Sequence, residues 1–319
     1  MAVTSRQDND ILQIDEEVAE ALHERRAVVA LESSAIPNGF PYPGNLESAL
    51  DIDKAIRDSG AVPARVAILD GRFLVGMTQD HLERFAGDSS IPKASTRDMG
   101  VLLASGGAGA TTVSASMVGA ELAGIPVFSV AGIGGVHRGA TYSFDISADL
   151  VQFTRSRAAV VCAGAKSVLD LRLTLEWLET AGVPVIGYRC DDFPAYFSVS
   201  SGVRNPHRID DLRQMSRAVL EHWRTGNQGS VLVTHPIAEE DGIPSETVEE
   251  ALAAAARKAE EDGVSGPAVT PYLLKAISAA TEGRTAAANR SVLLSTTALA
   301  GRFAVEMAVE AAAREGSAR

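Results

Sequence analysis

Residues 158–188 read AAVVCAGAKSVLDLRLTLEWLETAGVPVIGY. The first six are apolar, rich in Val and Ala, and closed by Gly164, as a buried strand should be. After Lys166, apolar residues recur at three- to four-residue spacing through 167–180, which predicts a helix. A second apolar run, 184–188, follows Gly182 and Pro184. Strand, helix, strand within about thirty residues is the unit that builds parallel sheets. This stretch therefore sets the fold class as α/β.

The same alternation extends in both directions. Further strands are predicted at 27–31, 65–69, 73–76, 126–130 and 230–234, and helices at 15–26, 46–59, 112–123, 210–224, 246–262, 271–280 and 285–313. VAILD and FLVG, joined through Asp70-Gly71, read as a hairpin, so the central sheet is expected to be mixed. No repeat, linker or charge block divides the chain. Residues 1–319 are read as one α/β domain with frayed termini.

The chain has 319 residues, 46% of them hydrophobic, and a net charge of −12. That acidity argues against nucleic acid as the main ligand. An anion must then meet locally concentrated positive charge. Two cysteines, Cys162 and Cys190, make no disulfide framework and fit a reducing cytoplasm. No apolar run approaches the ~18 residues of a membrane helix. The first residues, MAVTSRQDNDILQIDEEVAEAL, lack the apolar core of a signal peptide.

Five lysines stand against 24 arginines, so each lysine is informative. Lys54, Lys258 and Lys275 fall on helical segments. Lys166 leaves a buried strand, where desolvation favours the neutral amine that imine chemistry needs. A salt bridge at the core edge is the competing reading. Lys93, in Ile-Pro-Lys-Ala-Ser, also lies off any amphipathic helix. Glu32 follows the strand at 27–31 beside a proline-stiffened loop, a place for a general acid–base or for a plain strand-end salt bridge.

Ser105 to Thr112 is Gly-rich and precedes a helix, so it is either a connector or a source of N–H donors for an anion. GIGGVHRG, 132–139, lacks the third glycine of a dinucleotide fingerprint, and TYSFDIS after it does not read as a helix. It places His137 and Arg138 on a loop at a strand's C-terminal end. In FDISAD, Asp145 and Asp149 flank Ser147. They either cap a turn or offer oxygen to a hard cation.

Taken in order, LES with PYP and Asn45 (31–45), AVPARVAILDG to Gly76 (61–76), GIGGVHRG, FDISADL, VVCAGAKS with Leu169-Asp170, GVPVIGY (182–188) and NPHR (205–208) resemble the pseudouridine-5′-phosphate glycosidase family, also named for indigoidine synthase A. The match covers Glu17 to Ala308. It implies a three-layer α/β/α fold with a central mixed β-sheet, a homotrimer and a divalent metal, usually manganese (Mn2+). It also implies reversible cleavage of a carbon–carbon glycosidic bond to give ribose 5-phosphate and uracil. A lysine Schiff base on the ring-opened sugar carries that chemistry.

By motif position the family's nucleophile falls on Lys166, its proton-transfer glutamate on Glu32 and its substrate-contacting lysine on Lys93. Its metal ligand falls on Asp145. Its sugar-phosphate segment falls on Ser147, Ala148 and Asp149, further substrate contacts fall on Thr112 and Val113, and Asn289 takes the position of an asparagine near the base. His137 and Arg138 would supply positive charge to a phosphate.

The chain departs from the family's pattern at Asn38, where a histidine is usual, at Ala110, at Arg290, and at Ser295-Thr296, where an asparagine pair is usual. These changes fall in segments that would face the base. They favour a C-glycosynthase joining ribose 5-phosphate to a larger aromatic acceptor, as in antibiotic biosynthesis. The alternative is an authentic pseudouridine-5′-phosphate glycosidase. A retired sugar-phosphate-binding protein is argued against by the retained Glu32, Lys93, Asp145 and Lys166.

Overall fold

Asp70 and Gly71 both adopt left-handed backbone angles, φ 52° and 74°, as a two-residue hairpin turn requires. The turn lays strand Arg72–Val75 antiparallel on Val62–Leu69, with Leu69 opposite Arg72. The computed structural model in which this is seen describes residues 10–264 and 269–317. The N-terminal reading over residues 1–9 lies outside them.

Among the described residues, nine strands form the main sheet. Their order is Leu12–Ile14, Arg72–Val75, Val62–Leu69, Val28–Leu31, Val127–Ser129, Ala159–Cys162, Val231–Thr234, Val185–Tyr188 and His207–Ile209. The hairpin pair is antiparallel and the other pairings are parallel. The sheet is therefore mixed, as the hairpin predicts.

Side chains alternate between its two faces with period two. Val28, Ala30, Val160 and Cys162 pack with helices Glu16–His23 and Val113–Ala123. Val29, Leu31, Ala159 and Val161 face the opposite layer, helices Gly44–Asp58, Leu212–Arg224 and Arg284–Ser317. Both faces are covered, so the strands read as continuous apolar runs.

All seven expected strands and eight expected helices form. Several features differ from expectation. The edge strands Leu12–Ile14 and His207–Ile209 are added. TYS, expected to be non-helical, forms the single turn Ala140–Ser143. The helix expected from 167 begins at Leu171, because Leu169–Asp170 pairs with Val136–His137 and the Asp170 carboxylate caps the helix at Leu173 N–H. One helix, Arg284–Gly316, is long and apolar enough by composition to cross a bilayer, although it holds no unbroken apolar run of that length. Half of its apolar window is buried here, as in a core helix.

Because the central strands run parallel, the loops that follow Val28–Leu31, Val127–Ser129 and Ala159–Cys162 gather along one edge of the sheet. Open α/β sheets bind ligands at such an edge.

Candidate active site

Three neighbouring strands deliver the site. Glu32 leaves the first of them. Its carboxylate accepts from the Ser34 hydroxyl at 2.7 Å, and its carbonyl accepts from Arg65 at 3.0 Å. Lys166 leaves the third strand through Gly164, whose φ is 76°. A Cβ there would stand 2.1 Å from the Pro194 carbonyl oxygen, so the turn demands glycine. The glycine-rich loop leaves the second strand. Ile133 N–H donates to the Gly164 carbonyl at 3.0 Å, and Lys166 N–H donates to the Ile133 carbonyl at 3.1 Å. The lysine is thereby stitched to its neighbouring loop.

Lys93 comes from outside the main sheet, on a two-residue strand paired with Ala110–Thr111. It keeps surface open to solvent, yet the protein packed around it lowers its pKa. The Lys166 charge lowers it further, against the raising pull of Glu32 and Asp149. Glu32, Lys93, Asp149 and Lys166 thus share one electrostatic environment.

Asp149 is buried. One oxygen accepts from Ser114 N–H at 3.0 Å and the other from Gly134 N–H at 2.8 Å. The N–H group that the Gly-rich loop exposes at Ser114 is therefore met by a carboxylate of the chain itself. Thr112 takes the N-cap position and Val113 is buried. Ser147 caps its own short helix, Ala148–Phe153, accepting from Asp149 N–H, and Ala148 is half-buried.

Asp145 lies on the adjoining loop, with its side chain 54% exposed and 3.8 Å from His137 Nδ1. Arg138 points away into a bidentate ion pair with Glu249, at 2.7 and 2.9 Å. Among the described residues no three His, Cys, Asp or Glu side chains form a metal-binding group. The donor set does fit a hard divalent ion held by one carboxylate, with water filling its shell.

Asn289, near the start of helix Arg284–Ser317, accepts a hydrogen bond from the Tyr196 hydroxyl. Burial, followed by the Glu32 charge, pushes the Tyr196 phenol up. Sequence reasoning missed Tyr196 and Arg65. Gly164 and Pro194 were the available hints that the two loops meet, but nothing local links Tyr196 to a residue 93 positions away.

Of the positions that depart from the family pattern, Ala110 and Thr296 are buried, Ser295 is half-buried, and Asn38 and Arg290 are exposed. Thr296 is fully buried and its hydroxyl donates to the Val292 carbonyl at 2.8 Å. Ser295 donates to the same carbonyl at 3.2 Å. Asn38 donates to the Ser34 carbonyl at 3.1 Å, and Arg290 pairs with Asp51.

Residues 17–306 match the model of the family described as indigoidine synthase A like protein. The chain is 58% identical over 296 residues to a pseudouridine-5′-phosphate glycosidase of Dickeya dadantii, covering 93% of this chain and 94% of that one. It is 48% identical to pseudouridine-5′-phosphate glycosidase 1 of Photorhabdus laumondii, covering 91% of each. Among solved structures it resembles the prealnumycin C-glycosynthase AlnA in complex with ribulose 5-phosphate. That match has a TM-score of 0.91 and 47% identity, and covers 96% of this chain and 99% of that one. An indigoidine synthase A-like protein from Thermotoga maritima matches with a TM-score of 0.83 and 33% identity, over 93% and 97% of the two chains. With its nine-stranded sheet, its paired lysines and a match spanning nearly its whole length, the chain belongs to the indigoidine synthase A-like family.

Proposed function

We propose that this chain is an enzyme that cleaves and, in reverse, forms the carbon–carbon glycosidic bond of pseudouridine 5′-phosphate. One observation carries the reading. Of the two carboxylates in the cluster, Asp149 is buried and holds two backbone N–H groups, which leaves one available acid, Glu32, beside two amines. The paired-carboxylate route of ordinary glycosidases needs two free carboxylates and a heteroatom leaving group. A carbon leaving group suits an amine instead.

In the synthetic direction, the Lys166 amine condenses with the C1 aldehyde of open-chain ribose 5-phosphate and releases water. C5 of uracil adds its electron pair to the iminium carbon, forming the C–C bond, and its displaced proton passes to Glu32. The C4 hydroxyl of the sugar then closes on C1 and expels the Lys166 amine, to which its proton passes. Lys93, with its lowered pKa, can hand a proton to the ring oxygen when the sugar reopens. The exposed Asp145 carboxylate and His137 would hold the divalent ion, manganese by the resemblance, which when bound neutralises phosphate charge.

Uracil is the preferred acceptor because relatives up to 58% identical are named pseudouridine-5′-phosphate glycosidases, and Thr296, one of the departing positions, is fully buried. The likeness to AlnA and the substitution at Asn38 favour a second reading, a C-glycosynthase with a larger aromatic acceptor. Borohydride with ribose 5-phosphate should leave a stable adduct on Lys166, and Lys166→Arg should be inactive. Turnover of pseudouridine 5′-phosphate at primary-metabolic rates selects uracil. Turnover of a hydroxylated naphthoquinone alone selects the second reading, and an adduct confined to Lys93 overturns the Lys166 role. The reading includes a cytoplasmic homotrimer, which sedimentation of the purified protein would test.

A further inference from the structure

Tyr196 fills the space between Glu32, the turn at Gly132 and Asn289. Its backbone adopts φ 62°, a left-handed conformation uncommon for a bulky residue. Three contacts hold it there. Its N–H donates to the Ala163 carbonyl at 3.1 Å. Its ring seats on Gly132, where a Cβ would come within 2.4 Å of the ring. Its other side meets Phe197 edge-on, with centroids 4.6 Å apart at 71°. Backbone held this way by its surroundings occurs where a side chain must be aimed.

The aim is set by proton count. Burial and the neighbouring Glu32 charge keep the phenol protonated. Its single proton goes to Oδ1 of Asn289. An amide whose oxygen is engaged in this way presents its two Nδ2 hydrogens. Among the described residues, no hydrogen bond from those hydrogens to a protein group accompanies the Tyr196 contact.

We infer that Tyr196 is a positioning residue that fixes the Asn289 amide, so that the site offers N–H donors to the acceptor base and selects a carbonyl oxygen over an amino group at the facing position. The inference rests on the reading of uracil as acceptor. Without the phenol the amide can rotate by half a turn and offer its oxygen instead.

Cytosine and isocytosine each replace one uracil carbonyl with an amino group. Their inhibition constants against uracil, in the ribose 5-phosphate addition, read the selectivity. In the wild type one of the two should bind at least 100-fold more weakly than uracil. Tyr196→Phe keeps the ring on Gly132 and should shrink that ratio at least ten-fold. In an Asn289→Ala background the same change should have no further effect. An unchanged ratio in Tyr196→Phe, with uniform loss on all three bases, overturns the inference and leaves Tyr196 a purely structural residue.

Should Tyr196→Phe not fold, wild-type enzyme with 2- and 4-thiouracil gives the answer, since sulfur accepts hydrogen bonds poorly. One thiouracil should bind at least ten-fold more weakly than uracil, and equal binding of both overturns the inference. Failure of the parent reading shows separately, as a wild type that turns over no pseudouridine 5′-phosphate.

Discussion

Arg65 holds the backbone of Glu32 in place. Its guanidinium donates from one nitrogen to the Glu32 carbonyl at 3.0 Å. From the other it donates to the Asp53 carboxylate at 2.7 Å and the Ala49 carbonyl at 3.3 Å. Arg65 is 4% exposed, so removing it strands a half-buried carboxylate. Arg65→Leu should cost about 3 kcal/mol in urea unfolding and lower turnover as Glu32 loses its anchor. Arg65→Lys should recover only part, because one ammonium cannot reach three acceptors in that fork. Wild-type stability in Arg65→Leu would contradict this account.

Lys93 makes the site less stable than it could be. Although its surface stays partly open to solvent, its pKa lies below the ordinary value, because of desolvation by the protein packed around it first and the Lys166 charge second. The effect on stability is therefore a screened one. A depressed lysine means that the folded chain binds fewer protons than the unfolded one between the two pKa values, so stability rises with pH through that window. Lys93→Met should therefore stabilise the protein at pH 7 while sharply reducing activity. The gain should shrink as pH rises through the folded pKa and vanish above the unfolded value, ~10.4. Denaturant midpoints at pH 7 and pH 10.5 measure both signs, and a gain that grows with pH would refute the assignment.

Asp149 and Gly134 form a second joint. A Cβ on Gly134 would lie 2.2 Å from Ser147 Oγ and 2.8 Å from an Asp149 carboxylate oxygen. Gly134→Ala must push the loop off its anchor. Asp149→Asn turns an amino group toward one of the two N–H donors and should cost about 1–3 kcal/mol. Both variants should lose thermal stability together with activity. A fully stable Asp149→Asn would mean that the carboxylate is not a structural clamp.

Asp145 is exposed, so its replacement should leave folding within about 0.5 kcal/mol of wild type. Asp145→Ala should abolish stimulation by Mn2+ and raise the KM for ribose 5-phosphate. Exhaustive chelation that leaves the wild-type rate unchanged would remove the metal from this reading.

The parallel core was legible because strands buried on both faces read as apolar runs such as 158–163, and the hairpin because Asp-Gly specifies its turn. The edge strands Leu12–Ile14 and His207–Ile209 were not, since each is half solvated and the second is largely polar. Lys166 and Lys93 stood out by the scarcity of lysine, and Lys166 and Glu32 by position at strand ends. Tyr196 did not, because its role depends on a left-handed residue carrying a loop across to a distant helix. The inward turn of Thr296 was equally hidden. Family pattern shows that a residue has changed, while burial shows whether the change faces a ligand.

Helix Arg284–Ser317 runs for 34 residues, about 51 Å at 1.5 Å per residue. It carries Asn289 near one end and seats Leu299, Phe303 and Met307 against the sheet further along. It therefore acts as a ruler. Inserting or deleting one residue between Asn289 and Leu299 would rotate Asn289 by ~100° relative to the seated half and shift it ~1.5 Å along the axis, out of reach of Tyr196. Spacing is thus under as strict a requirement as residue identity. This chain should tolerate a change of length in an exposed turn such as the one around Gly226, but not along this helix.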